Sequence, residues 1–218
     1  IAEIDKIVKG YQKDGMVIGE APLMKDLQDV TDVDLATVNN ISIIAIFLII
    51  LVTFKSISIP VILVAVIEFA IACNMAVPYY TNTSLPFVAS IVIGTIQLGA
   101  TVDYAILMTN RYHKERVERK KSKKEAIRIA HETSIKSILT SGFCFFAATF
   151  GVSAYSEIDM ISGICTLLSR GAIISMVVVI CILPAMLWLF DSVIIRSSWD
   201  MIRAKVHQRD RAAKAVQQ

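Results

Sequence analysis

Long apolar runs recur five times in this chain, and each is about as long as a helix that crosses a bilayer. They make 55% of the 218 residues hydrophobic, leave only 19% charged and give a mean hydropathy of +0.62. Soluble domains of this size do not carry so many apolar side chains, so the sequence predicts an all-α polytopic membrane protein. The five predicted spans, in a bundle of residues 35–190, are residues 35–54, 57–79, 87–110, 138–154 and 160–190.

Three polar segments lie outside these spans. Residues 1–34 are predicted to hold a short helix, a strand at residues 16–18 and, from Pro22, an amphipathic helix that continues without a break into the first span. Residues 111–137 form a basic loop, and residues 191–218 form a basic tail. Apolar residues at helical spacing in the second half of the loop predict a helix that lies at the membrane surface before the chain turns inward.

The distribution of positive charge predicts the topology. With the N-terminus outside, the inner face receives 17 Lys and Arg residues and the outer face receives four. The positive-inside rule therefore places the N-terminus outside and the C-terminus in the cytosol. The expected location is the plasma (cytoplasmic) membrane. Arg170 is left over, and if the fifth span covers only residues 171–190 it lies at the outer interface. A basic loop between apolar spans is typical of a cytosolic face, so no nucleic-acid partner is expected.

Asp103 is the single carboxylate within the third apolar run, and Tyr104 follows it. A charged side chain at the centre of a membrane helix costs about 2.5–3.5 kcal/mol on insertion scales, so it is rarely there without a use. Helical spacing places Gly99 and Ala100 one turn away on the same face, where small residues allow another helix to approach closely. An aspartate in such a place can be neutral or ionised, as a proton carrier requires. A carboxyl group that only holds two helices together is the alternative.

Glu68 is a second acid inside a predicted span, and no basic residue of the chain lies obviously at the same depth. It contributes to a proton relay, lines a wet cavity or helps to hold helices together. Asn74, Gln97 and the pair Ser141-Gly142 are also polar or small positions within spans, where packing or hydrogen bonding is the expected role. The four cysteines fall in apolar runs without metal or disulfide spacing and are expected to be small buried hydrophobic residues.

The sequence shows no constellation of a soluble enzyme. His113, His131 and His207 lie in polar segments without a Cys or carboxylate at metal-binding spacing, and no glycine-rich phosphate loop is present. An intramembrane aspartyl protease needs two apposed aspartates, whereas the predicted spans contain Asp103 alone. The residues therefore give no sign of an enzyme or of a metal or cofactor site, and ATP is not the evident energy source.

The segment GATVDYAILMTNRYHKER, a basic loop, Ser141-Gly142 in the next span, SRGAIIS and LPAMLWLFD together resemble the resistance-nodulation-division (RND) superfamily and, within it, the MmpL-like exporters. In that family a six-helix bundle occurs twice, each half has an extracytoplasmic domain between its first and second helices, and an Asp-Tyr pair lies in its fourth helix. Asp103-Tyr104 matches that pair. The resemblance implies five helices of the C-terminal half bundle, preceded by a short remnant of an α+β extracytoplasmic domain in residues 1–34.

The resemblance implies a secondary transporter rather than an enzyme, with protons as the coupling ion and no cofactor. It exports lipids or other hydrophobic compounds, and Asp103 and Tyr104 belong to its proton relay. Glu68 joins the predicted relay on its burial alone, and the relay-supporting helix contacts are expected at Gly99, Ala100, Ser141 and Gly142. The expected partners are membrane lipids, a hydrophobic or lipid substrate, and the N-terminal half of the same transporter or a second copy. The alternative from another class is a non-transporting scaffold or a sterol-sensing-like bundle that binds lipid.

Overall fold

The computed structural model describes residues 2–12, 17–81 and 87–197, which form seven α-helices and one π-helical turn. The turn, Lys114–Glu118, follows directly on α4 and leads into the loop before α5. The helices are α1 Ala2–Tyr11, α2 Glu20–Phe54, α3 Ser58–Thr81, α4 Phe87–His113, α5 Lys123–Tyr155, α6 Asp159–Leu189 and α7 Asp191–Ser197.

The all-α prediction is confirmed for the described residues, which contain no strand. The predicted strand at residues 16–18 is wrong for Val17 and Ile18, which have no regular secondary structure, and Met16 lies outside the described residues. A strand needs a neighbouring strand to satisfy its backbone hydrogen bonds, and the described part of the chain offers none. The α+β remnant is therefore not seen.

Four helices are long and apolar enough to cross a membrane: residues Thr37–Phe54 of α2, and the whole of α3, α5 and α6. The lead-in helix is continuous with the first of these, as the sequence predicts. After the last residue of α2, Phe54, the cap residue Lys55 has a left-handed backbone conformation and its backbone N–H donates to Leu51 O. In the place of the third predicted span, α4 is one unbroken helix, but its described part is not among the four. A five-span bundle therefore remains a prediction.

One unbroken helix, α5, covers both the second half of the basic loop and the next predicted span. The prediction of a surface helix that turns inward is therefore wrong. Ala126, Ala130, Ser134 and Ile138 recur at every fourth position and are all buried, so the basic segment and the apolar segment share one packed stripe. No proline or glycine interrupts that stripe, and nothing in the local sequence favours a bend.

The core lies where α3, α4 and α6 meet, and α4 contacts α2, α3, α5 and α6. Large apolar side chains of α2, such as Ile44, Leu48 and Val52, point away from that core and are more than half exposed. An apolar outer surface of this kind suits contact with lipid. The expectation of buried cysteines is wrong, because Cys144 and Cys181 are exposed and Cys73 and Cys165 are only partly covered, all four as free thiols.

Candidate functional site

One side of α4 borders a groove that contains the predicted Asp-Tyr pair. The groove has a volume of about 330 Å³. Asp103 is exposed in it, whereas the neighbouring Tyr104 is only 6% exposed. The lining residues are Ala100, Asp103, Tyr104 and Leu107 from α4, and Ser137, Ser141 and Phe145 from α5.

Helical periodicity explains why these residues share one groove. The four from α4 lie at intervals of three and four residues, and the three from α5 are four residues apart, so each set occupies one helix face. Ala100, Ser137 and Ser141 are small, which leaves open space beside the Asp103 carboxylate. Within the described residues, no side chain donates a hydrogen bond to that carboxylate and no cation pairs with it. The arrangement places the Asp103 carboxyl group in the same groove as the hydroxyl-bearing side chains of Tyr104, Ser137 and Ser141.

The other predicted site residues are not all brought together. Gly99 is on the same side of α4 as Asp103, but a Cβ added there would meet no atom within 4 Å, so the helix predicted to contact it remains a prediction. Gly142 lies against Met176 of α6, whose Sδ would be 2.8 Å from an added Cβ. Glu68 lies on α3 and does not line the groove, and its buried Oε1 has no hydrogen-bond partner among the described residues.

The opposite face of α4 carries a polar network that is buried and paired. Asn74 Nδ2 of α3 donates to Gln97 Oε1 at 2.8 Å and to Leu167 O at 3.2 Å. Gln97 Nε2 donates to Ser175 Oγ of α6 at 3.0 Å, and the Thr101 hydroxyl lies 2.8 Å from the same oxygen. These contacts confirm the expected hydrogen-bonding role of Asn74 and Gln97.

Gly171 is what allows the three helices of this network to meet. A Cβ at this position would lie 2.7 Å from Asn74 Nδ2 and 2.8 Å from Gln97 Oε1, closer than real Cβ atoms approach other atoms. Both amide side chains are held by hydrogen bonds and cannot easily yield. Only glycine therefore fits against the Asn74–Gln97 bond.

Arg170 lies within α6, eleven residues after that helix begins at Asp159. Its guanidinium donates from Nε to Asn74 Oδ1 at 2.8 Å and from Nη2 to Asn74 O at 3.0 Å. Hydrogen bonding to these two acceptors satisfies a guanidinium that would otherwise have to reach water. The place of Arg170 at the outer interface stays a prediction.

A second paired cluster lies at the other end of α4, which the topology prediction assigns to the cytosolic side. Asp191, at the start of α7, accepts from Arg116 Nε at 2.9 Å and Nη2 at 3.0 Å, and also from the Tyr112 hydroxyl. Burial alone would raise the pKa of the Asp191 carboxyl, but the hydrogen bonds from Arg116 and Tyr112 outweigh it and hold that pKa below its usual value. The hydrogen bond to Asp191 raises the pKa of Arg116. The three side chains form a charge-paired triad.

Sequence reasoning missed this triad and also Ser137 and Ser175. Tyr112 and Arg116 lie in a basic segment that is interpreted from sequence only as an indicator of topology. Asp191 follows the last apolar run, where a polar residue is expected in any case. One signal was available: Asp191 is the only acid between Asp159 and Asp200, at the boundary of a strongly apolar run. Its partner is 75 residues away, and no spacing rule connects the two.

In the described ranges, no group of His, Cys, Asp and Glu converges to hold a metal ion. A family model described as the MMPL family matches residues 1–212 of the chain. No curated protein and no solved structure matches it.

Proposed function

From the premise that the chain belongs to the MMPL family of the RND superfamily, whose members are membrane transporters and not enzymes, we propose that it is the C-terminal membrane part of a proton-driven exporter. The exported compounds are lipids or other hydrophobic molecules. The single observation that carries the proposal is the groove in which Asp103, Tyr104 and Ser141 converge.

In this proposal α4 is a fifth membrane span, and the basic loop and tail face the cytosol. Length supports the first part, since 27 residues make a helix of about 40 Å, longer than the hydrocarbon core. Two of the polar side chains that lower its hydropathy, Gln97 and Thr101, are paired on the side facing α3 and α6, and Asp103 and Tyr104 belong to the groove. The unequal distribution of Lys and Arg supports the orientation.

Asp103 takes up a proton from the outer side and releases it to the cytosol. Tyr104, whose ring is buried beside it, provides a hydroxyl for the relay, and Ser141 faces the same space from α5. Protonation removes the charge from the groove and so changes the preferred packing of this face against its partner. The altered packing drives the extracytoplasmic domain through its cycle. Glu68 is a second candidate carrier, on a separate helix.

The partner of this face is the N-terminal half of the same transporter or a second copy of the half bundle. Two features of the face support this assignment. Asp103 is exposed, which is costly in lipid, and Gly99 beside it has open space where a facing helix fits. Ala100 and Gly99 would form the contact, and Gly142 would support it from α5 by keeping α5 close to α6.

The test replaces Asp103 by Asn in the complete protein and measures proton flux and export in vesicles. The amide keeps the shape of the carboxyl but cannot carry the proton, so flux and export should fall to background while the amount of protein in the membrane stays normal. Asp159→Asn is the matched control, since this exposed acid at the start of α6 lies outside the groove and should export normally. Normal export by Asp103→Asn would refute the proposal. Lipid binding without proton flux in the unaltered protein would favour a non-transporting, sterol-sensing-like bundle.

A further inference from the structure

Asp103 can act in a relay only if α4 presents it to the groove at the right depth and rotation. We propose that Asp191 is a positioning residue for Asp103, because its bonds to Arg116 and Tyr112 fix the inner end of α4 against the joint between α6 and α7. This inference rests on the proposed function for its link to transport. The part that concerns the position of α4 is tested without any transport measurement.

The first argument is the geometry of α4 itself. Tyr112 follows Asp103 by nine residues, which corresponds to about 14 Å along the helix and about half a turn around it. Tyr112 therefore anchors the face opposite to the groove. It is completely buried, and its hydroxyl donates to Asp191, so a rotation or a slide of α4 would have to break this hydrogen bond inside the protein.

The second argument is the winding of the chain beyond α4. Arg116 lies in the π-helical turn Lys114–Glu118, a form that is uncommon and is often found at functional sites. Its guanidinium bonds both carboxylate oxygens of Asp191, and Nη1 also donates to Lys121 O at 3.1 Å. A two-point contact of this kind fixes direction as well as distance. Rewinding the π-helical turn into an α-helix would change the register of Arg116. Its contacts with Asp191 and with Lys121 O would then have to break.

The third argument is that Asp191 is itself held in place. It is 4% exposed and begins α7, with only Phe190 between it and the end of α6. At the other end of α7, Ser197 Oγ lies 2.7 Å from Ser56 Oγ in the turn between α2 and α3. The anchor of α4 is therefore connected to α6 directly and to the α2–α3 turn through α7. An anchor can position a helix only if it is fixed to other parts of the fold, and this one is.

A purely local role in folding is the competing explanation, and a disulfide reporter distinguishes the two. The hydroxyl oxygens of Thr101 and Ser175 are 2.8 Å apart, so cysteines at both positions place their sulfur atoms close enough to bond across α4 and α6. Thr101 is only two residues from Asp103. The rate at which this disulfide forms therefore reports whether α4 keeps its setting next to the proton site.

The experiment uses membranes that contain the complete protein with Thr101→Cys and Ser175→Cys, and with the four natural cysteines replaced by alanine. Disulfide formation under a mild oxidant is followed with Asp191 intact, with Asp191→Asn, and with the exchanged pair Arg116→Asp and Asp191→Arg. We expect Asp191→Asn to slow formation by up to about a hundredfold, as a misplacement of the order of 1 Å can do. The exchanged pair should recover at least half of the lost rate.

Arg119→Gln is the matched control. Arg119 is a largely exposed cation that pairs with Glu115, four residues earlier, and it does not contact Asp191. Its disulfide rate should equal that of the unaltered protein. If Asp191→Asn reduces the amount of folded protein, Tyr112→Phe takes its place, since it removes only the hydroxyl, and a two- to threefold slower rate is expected. An unchanged rate in both variants would overturn the positioning role.

The transport arm links the position of α4 to coupling. With the natural Thr101 and Ser175, Asp191→Asn should shift the pH at which export is half-maximal, whereas a defect in folding alone would lower export equally at every pH. The failures are distinguishable: a slowed disulfide with normal export by Asp103→Asn refutes the proposed function alone. An unchanged disulfide rate with export lost in Asp103→Asn refutes the positioning role alone.

Discussion

The two faces of α4 differ in how their polar groups are satisfied. On the face toward α3 and α6, three polar side chains are buried and hydrogen-bonded: Gln97 to Asn74, Thr101 to Ser175 and Tyr112 to Asp191. On the groove face, Asp103 is exposed and has no partner among the described residues. Both faces belong to one helix, and they differ in what packs against them.

The difference separates polar residues that hold the fold from one that does not. A buried polar group with all its bonds made contributes to the specificity and stability of the fold, and changing it leaves its partners unsatisfied. A carboxylate without a partner contributes little to stability. The paired face therefore holds α4 in the bundle, and the groove face carries the relay and the partner contact only in the function that we propose.

The largest contrast is expected between the two aspartates. Asp191→Asn should lower the free energy of unfolding by about 3 kcal/mol, because Arg116 loses its charge partner in a mostly buried site. Asp103→Asn should change it by less than about 0.5 kcal/mol, as substitutions at unpaired positions do. Thermal unfolding in detergent measures both. Equal losses would show that the groove carboxylate is structural after all.

The next contrast is between two glycines. Gly171→Ala should destabilise the fold by about 1–3 kcal/mol, because the added methyl group collides with the Asn74–Gln97 bond. Gly99→Ala has open space and should stabilise the helix by up to about 1 kcal/mol. Unfolding of the two variants in the same detergent gives the comparison. A destabilised Gly99→Ala would reveal a neighbour on the groove face.

A smaller contrast is expected between two serines. Ser175→Ala removes the acceptor of Gln97 Nε2 and should lower the free energy of unfolding by about 1 kcal/mol. Ser141→Ala, in the groove, should change it by less than about 0.5 kcal/mol while slowing proton flux. Unfolding and flux are measured on the same preparations. Loss of stability without loss of flux in Ser141→Ala would remove this serine from the relay.

The smallest effect concerns pH and the inner triad. Because the folded pKa of Asp191 lies below its ordinary value of 3.8, its contribution to stability is complete above pH 3.8 and is lost as the pH falls through the folded pKa. Arg116, Tyr112 and Lys123 face Asp191, and the raised pKa values of Arg116 and Tyr112 keep both of these groups protonated throughout that range. The stability difference between the unaltered protein and Asp191→Asn should therefore stay constant from pH 5 to pH 7 and shrink only below pH 3.8. A difference that varies near neutral pH would contradict this assignment.

Much of the fold follows from hydrophobic pattern, since a run of about 20 apolar residues has few options besides a helix. The bounds of α3, α4 and α6 agree with the sequence prediction to within about three residues. The errors arose where the outcome depends on packing. The continuity of α5 depends on a stripe of buried residues against its neighbours, and the lack of a strand at Val17 and Ile18 follows from the lack of a strand to pair with among the described residues.

The sequence by itself determined that this is a helical membrane protein and that Asp103 lies with Ala100 on one face of α4, because both depend on local periodicity and on the cost of charge in lipid. Tertiary structure alone decided which polar residues are used up in holding the bundle. Asn74, Gln97 and Ser175 come from three helices, and Asp191 meets Arg116 across 75 positions of sequence. Hydrogen bonds act over about 3 Å, so only the folded chain determines which groups pair and which remain free.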